Sequence, residues 1–339
     1  MIHFSASAFS KGAEERAHVF IPIMLFSCMK ALVTGGAGFI GSHLIDALVK
    51  ENDVICFDNF SSGQRKFIEH NMDKIELIEG DLLNRKEIKK ALKNVDIVFH
   101  LAANPDVRLG ITNTNVHFQQ NIVATYNLLE EMRIAGINKI VFTSSSTVYG
   151  EASTIPTPEN YGPLIPISLY GASKLAAEGL ISAYSHTFDI DAIIYRFANV
   201  VGPRSTHGVI YDFINKLACN SKKLEILGDG RQKKSYLYID DCINAMLFGL
   251  KTKNKVEIFN IGSEDWVDVK KIADIISEEM KLKPEYIFTG GIDGRGWKGD
   301  VKIMKLSIEK LKSMGWEPHY SSAEAVRLTA RWMIENMLS

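Results

Sequence analysis

From Met29 onward, apolar residues come in short, nearly unbroken runs separated by stretches of helical period. KALVT (30–34), DVICFD (53–58), KIELIEG (74–80), DIVFHLAA (96–103) and KIVFTSS (139–145) read as strands. Their near-continuous apolar character, in place of strict alternation, predicts strands covered on both faces. After the first strand, Ile40, Leu44 and Leu48 recur at i, i+4 and i+8, as on one face of a helix. A longer helical stretch spans about 115–135 and stops at Gly136, a residue suited to a left-handed cap. Strand alternating with helix predicts right-handed crossovers and an α/β fold, a doubly wound parallel sheet. After YRFANVVGPR the pattern changes to short mixed strands (LEIL, SYLYI, VEIFNI), helices near 209–219, 240–250, 267–281 and 322–337, and more Gly-rich loops. The expectation is a sheet domain over 29–195 and a smaller mixed α/β, substrate-side domain over 196–339, interleaved with the first.

Residues 1–28 do not share this pattern. Val19–Cys28 is weakly apolar but holds Pro22, and the charges before it are mixed, unlike a signal peptide. The reading is a disordered extension, or a start that belongs at Met29, one residue before a clean strand.

Composition narrows the partners. The 339 residues carry 39 Lys and Arg against 40 Asp and Glu, a net charge of -1, which favours neither nucleic acid nor an anionic membrane. No apolar run approaches the roughly 18 residues that span a bilayer. Cys28, Cys56, Cys219 and Cys242 have no metal-ligand spacing, so a reduced, cytoplasmic setting without a metal site is expected.

Candidate chemistry begins at TGGAGFIGSHL, directly after the first strand. Gly35, Gly38 and Gly41 allow a tight turn, close backbone approach to a pyrophosphate, and close helix–sheet packing. The N-terminus of the following helix then offers free N–H groups and a positive dipole end. Asp58 ends the next strand, where a carboxylate accepts from both adenosine ribose hydroxyls and repels a 2′-phosphate. Asn59 follows it instead of Arg or Lys, so NAD is expected over NADP. Asp81, after the third strand, is placed to meet the adenine edge or is an ordinary turn residue. In SLYGASK, Tyr170 and Lys174 lie four apart on one helix face. A tyrosine near an ammonium and a positive nicotinamide ring becomes a usable base. Ser145 ends the fifth strand, at the sheet edge where open α/β folds bind ligands.

These segments, with HLAA (100–103), NIVATYNLLE (121–130), PENYGPLIPISLYGASK (158–174), RFANVVGPR (196–204) and GDGRQKKSYLYIDD (228–241), resemble the extended short-chain dehydrogenase/reductase family in its order. Within that family they are similar to the NAD-dependent nucleotide-sugar epimerases and dehydratases. The resemblance implies a Rossmann domain and cofactor contacts at Phe39, Ile40, Leu82, Leu101, Ala102, Ala103 and Asn121. It also implies that Tyr170 is the general base and acid and that Lys174 holds the nicotinamide ribose. Ser145 would bond the reacting sugar oxygen, Thr147 would touch the sugar, and Asn199 would bind the diphosphate. Paired helices near 114–135 and 168–187 would form a homodimer.

Sugar 4,6-dehydratases of the family carry Asp and Glu directly after the Ser/Thr, where this chain has Ser146 and Thr147. Neither hydroxyl suits an added acid and base at neutral pH. Epimerisation of a UDP-hexose at C4, as in UDP-glucose 4-epimerases of galactose metabolism, is therefore favoured. Other members of the family, acting on UDP-glucuronate or UDP-GlcNAc, decarboxylating or reducing, are the alternatives, and a non-catalytic NAD sensor is the minor one. Two departures concern the substrate phosphates. The family's Arg-led RDY is here Lys234-Ser235-Tyr236, and its RxGD is WKGD, with Trp297 at the Arg position and Arg295 two residues earlier. Lys234, Tyr236 and Arg295 are the expected substrate contacts, with a loop cap as the alternative for Arg295 and either packing or a sugar contact for Trp297.

Overall fold

The computed structural model describes residues 28–337; the rest of the 1–28 extension lies outside the described residues. β1 (Lys30–Thr34) leads into α1 (Phe39–Leu48), followed by β2 (Asp53–Asp58), β3 (Ile75–Glu79), α2 (Arg85–Ala91) and β4 (Ile97–His100). α3 (Leu109–Thr112) and α4 (Asn115–His117) pass through a π-helical stretch, Phe118–Val123, into α5 (Ala124–Ala135). β5 (Lys139–Ser145), α6 (Leu169–Phe188), β6 (Asp191–Phe197) and β7 (Asn199–Val201) come next. Then follow α7 (Val209–Cys219), β8 (Lys223–Ile226), β9 (Lys233–Lys234), β10 (Tyr236–Tyr238), α8 (Ile239–Gly249), β11 (Val256–Ile261) and β12 (Val267–Asp268). α9 (Val269–Glu279), β13 (Glu285–Phe288), β14 (Ile303–Met304), α10 (Glu309–Ser313) and α11 (Ser322–Met337) complete the chain.

Seven strands form one sheet in the order β11-β6-β5-β4-β1-β2-β3, parallel throughout. The five expected strands are all in it. β6 was hidden in the sequence, where its apolar run merges into the change of pattern. β11, read there as part of the second half, lies beside β6 at the edge of the main sheet. Alternate strand residues face opposite layers, as the pleat requires. Ala31, Val33, Val54, Cys56 and Phe99 pack on Leu44 and Leu48 of α1 and on Ile243 and Met246 of α8. Leu32, Ile55, Val98, Ile140 and Phe142 face Leu128 and Met132 of α5 and Ala177 and Ile181 of α6. The far edge, β3, is only half-buried and exposes Glu76 and Glu79, charges that discourage pairing with another edge.

The second lobe has its own core. α7, α9 and α11 bury Phe213, Ile214, Ile272, Ile276, Val326 and Met333 together with Leu224 and Tyr236. Its strands pair in three small groups: β10 with β7, β9 between β12 and β14, and β13 with β8. No described helix is long and apolar enough to cross a membrane.

Candidate active site

The chain order reverses between β1 and β4, so the loops after these two strands face each other across a crevice. The glycine loop forms one wall. Gly35 has φ +70°, and a Cβ there would lie 2.7 Å from the Ala102 backbone nitrogen. A Cβ on Gly41 would come within 2.2 Å of the Gly35 carbonyl oxygen, so α1 can start this close to the loop only with glycine. α1 has no side-chain cap, which leaves its first N–H groups pointing into the crevice. Phe39 and Ile40 form that first turn, and Leu101, Ala102 and Ala103 line the opposite loop after β4.

Asp58 ends β2 and is buried. Its Oδ2 accepts from Ala37 N at 2.9 Å and its Oδ1 from Phe60 N at 2.8 Å. Burial pushes its carboxyl pKa up, against these two N–H groups. A carboxylate oxygen accepts two bonds, so each keeps one lone pair for a ribose hydroxyl. Asn59 donates to Asp81 at 3.1 Å, which brings both next to Leu82 at the end of the β3 edge. The uncapped helix start, a cradle that a Cβ would fill, and a buried carboxylate beyond it together fit an adenine dinucleotide.

Asn121 falls in the π-helical stretch, a distortion frequent at functional sites. Its side chain is committed at both ends: Oδ1 accepts from Asn104 N at 2.8 Å and Nδ2 donates to Ser173 Oγ at 2.8 Å. It ties the loop after β4 to α6. His100 braces the same region, with Nδ1 2.9 Å from Thr34 Oγ1 and Nε2 2.9 Å from Thr125 Oγ1. Thr125 gives its own proton to the Asn121 carbonyl at 2.6 Å, so His100 carries its proton on Nε2 and is neutral. Burial, helped by the Lys174 charge, lowers its pKa to about 3.

Tyr170 and Lys174 lie in the first turns of α6, beside Ser145 at the end of β5. Lys174 is buried; its Nζ donates to Thr143 O at 2.8 Å and lies 5.9 Å from the Tyr170 ring centroid. Burial lowers its pKa to about 7, with Glu178 opposing. Tyr170 is pushed up to about 12 by burial, and it is the Ser145 hydroxyl that opposes this. In the protein alone desolvation thus outweighs the Ser145 hydrogen bond, and the expected lowering by Lys174 is not seen. Thr147 donates into Ser145 Oγ through N, at 3.2 Å, and Oγ1, at 3.0 Å. With its lone pairs so engaged, Ser145 points its own proton away from Thr147, toward Tyr170. Thr147 thus orients Ser145.

Behind the site, Glu178 accepts three bonds from Arg196, at 3.0 and 3.3 Å from Nε and 2.7 Å from Nη2, and one from Ser144. Arg196 also donates to Tyr149 O–H at 2.9 Å. This buried pair pins α6 to β5 and β6. The sequence reading missed it, although Glu178 repeats the i, i+4 spacing one turn past Lys174. His117, whose ring meets Tyr170 edge-on at 5.6 Å, was missed as well.

The substrate-side expectations fare differently. Asn199 lies at the lobe junction, its side chain donating to Ser235 O at 3.3 Å. Tyr236 points into the second lobe's apolar core, packed there because β10 turns alternate residues inward, so it is not a free sugar contact. Lys234 is held by buried Asp300 at 2.6 Å. Arg295 is held bidentately by Glu151, at 2.6 and 2.8 Å. In the protein alone each of these cations neutralises a carboxylate.

Known proteins bear on this geometry. Residues 31–262 match the model of the NAD dependent epimerase/dehydratase family. A crystal structure of a UDP-galactose 4-epimerase is 45% identical, covers 91% of this chain and 100% of its own, and superposes with a TM-score of 0.83. A Methanocaldococcus jannaschii protein with the provisional name UDP-glucose 4-epimerase is 38% identical over 312 residues, 90% of this chain and 98% of its own. UDP-glucuronic acid 4-epimerase of Bacillus cereus, solved with UDP-glucuronic acid and NAD, is 31% identical with a TM-score of 0.82, covering 91% of this chain and 99% of its own. Glycine cradle, Asp58, and the grouping of Ser145, Tyr170 and Lys174 at the switch point agree with that match: the chain belongs to the NAD dependent epimerase/dehydratase family.

Proposed function

We propose that the protein interconverts UDP-glucose and UDP-galactose at C4 through a transient 4-keto sugar. The observation that carries this reading is the Ser145-Ser146-Thr147 segment beside Tyr170. It provides hydroxyls and no carboxylate, and the next acid along the chain, Glu151, is held by Arg295. The site can thus move one proton at one carbon but has no added acid–base pair in this segment for eliminating water. The similarity to a UDP-galactose 4-epimerase supports the same reaction.

NAD held by the glycine cradle and Asp58 would accept and return the C4 hydride and bring a positive ring to the site. The chain's own part is proton transfer and orientation. Tyr170 removes the C4 hydroxyl proton and later gives it back; Ser145, oriented by Thr147, donates to the same oxygen and steadies its charge. Lys174, buried on Thr143 O, is placed to hold the nicotinamide ribose, and its ammonium form favours the Tyr170 phenolate. The net redox change is zero.

We also propose a homodimer through the outer face of α4–α5 and α6. Phe118, Tyr126, Ile134 and Phe188 are large apolar side chains exposed along these helices. They are spaced to form a stripe that a second copy would cover.

The test is incubation of the purified protein with UDP-galactose, UDP-N-acetylgalactosamine and UDP-glucuronate, one at a time, with product analysis. Formation of UDP-glucose is expected. Conversion of UDP-glucuronate alone would assign the glucuronate series instead, and no conversion of any of them would overturn the epimerase reading.

A further inference from the structure

Lys234 and Arg295, the cations expected at the diphosphate of a nucleotide sugar, are each paired with a carboxylate. A different cation stands at the cleft. Arg108, in the loop after β4, lies with Cζ 5.9 Å from the Trp297 ring centroid, across from the second lobe. Among the described residues its guanidinium makes no ion pair or hydrogen bond; Asp106, two positions back, accepts from its backbone N at 2.9 Å. Lys234 lies 5.4 Å from the same ring, its charge balanced by Asp300. The Trp297 indole N–H is buried and meets no acceptor.

Both loops converge on the start of the catalytic helix. A Cβ on Gly110, next to the Arg108 turn, would lie 3.2 Å from Leu169 Cβ. One on Gly299, next to the Trp297 turn, would lie 2.9 Å from Ile167 O. Ile167 and Leu169 flank Ser168, the cap of α6, so the two loops that carry Arg108 and Trp297 both pack at the N-terminal end of the helix that bears Tyr170. A guanidinium laid over an aromatic face keeps its in-plane N–H groups free, and their fork matches two phosphoryl oxygens. A buried donor without an acceptor calls for a partner.

We propose that Arg108, held on the Trp297 ring across the mouth of the cleft, is the bidentate grip for the substrate's diphosphate, with the Trp297 N–H as a second donor. This rests on the nucleotide-sugar reading. It explains how the chain replaces the family's arginine by a tryptophan: the cation comes from the opposite lobe and the tryptophan is its platform. Binding the diphosphate then joins the two lobes over the reacting sugar.

The experiment is titration of the NAD-loaded protein with UDP by calorimetry, at low and at raised salt, for the wild type and for Arg108→Ala, Arg108→Lys and Trp297→Phe. NAD content and thermal midpoint, read in parallel, report folding. Arg108→Ala is expected to weaken UDP binding about 10–100-fold and to flatten its salt dependence. Arg108→Lys should fall between it and the wild type, and Trp297→Phe, which keeps the ring and drops the donor, should lose about 3–10-fold. Unchanged UDP affinity in folded Arg108→Ala and Arg108→Lys overturns the proposal, and so does weakening seen with UDP-glucuronate but not UDP, which places the sugar carboxylate on Arg108. If the wild type binds UDP through Arg108 yet converts no sugar, the epimerase reading fails and the grip stands. If the wild type binds no UDP, both fall.

Discussion

Burial at Tyr170 works against the chemistry proposed for it. A phenol with a pKa near 12 is a poor base at neutral pH, so the site needs positive charge brought in with the cofactor before the proton can leave. Lys174 is itself poised near neutrality, because its ammonium is as hard to bury as the phenolate. Tyr170→Phe should leave NAD bound and lower the conversion rate by about 10²–10⁴-fold, the usual worth of a general acid–base group; retained activity would remove Tyr170 from the mechanism. Thr147→Val tests the inferred orientation of Ser145. It removes one of the two donors into Ser145 Oγ, and a drop in kcat of about tenfold with KM little changed is expected. A rise in KM alone would mean that Thr147 contacts the sugar directly.

Two elements hold these groups in place. The first is the β1–α1 turn, where α1 packs on the loop without room for a methyl group. Gly41→Ala, with its Cβ 2.2 Å from the Gly35 carbonyl, should shift the turn, cost about 1–3 kcal/mol and sharply reduce copurified NAD. Wild-type NAD content in that variant would contradict the packing argument. The second is the brace from Thr34 through His100 and Thr125 to the π-helical stretch. His100 has a pKa of about 3 when folded and an ordinary value when unfolded, so between these the unfolded chain binds more protons. Stability from this residue is therefore full above about pH 6.5 and is lost as pH falls from there toward 3. At pH 5 the loss is about 2 kcal/mol, and the thermal midpoint should fall accordingly between pH 7 and pH 5, less steeply in His100→Gln. Equal slopes for the two proteins would show that His100 does not carry the effect. The same brace accounts for Asn121: the π-helical stretch carries this side chain inward, onto Asn104 N and Ser173 Oγ.

Across the molecule, the sheet edge at the switch point supplies the chemistry and the second lobe supplies the far wall of the cleft. The 290–300 loop reaches back to the start of α6, so the walls of the proposed substrate cleft come from segments far apart in the chain. The exposed stripe of Phe118, Tyr126, Ile134 and Phe188 belongs to this level too. Sedimentation of the purified protein should give twice the chain mass, and a Tyr126→Glu, Ile134→Glu double variant should sediment as a monomer that still binds NAD. A monomeric wild type would count against the dimer.

Local signals made the first half of the protein legible. Apolar runs marked β1 to β5, the glycine spacing marked the phosphate loop, and Asp58 marked the end of β2. Tyr170 and Lys174 could be paired because helix period alone puts residues four apart on one face. These features depend on neighbours along the chain, and so a single sequence displays them. β6 and β11 were not placed in the sheet that way, since parallel pairing joins segments with no local mark of their partner. Lys234 and Arg295 were candidates for the substrate phosphates, and their pairing with Asp300 and Glu151 was invisible in the sequence. Arg108 carried no motif, and its meeting with Trp297 exists only because two loops, one from each lobe, close on the start of α6. Whether a charge is spent or available depends on what lies within a few ångströms of it in space, and tertiary structure alone decides that.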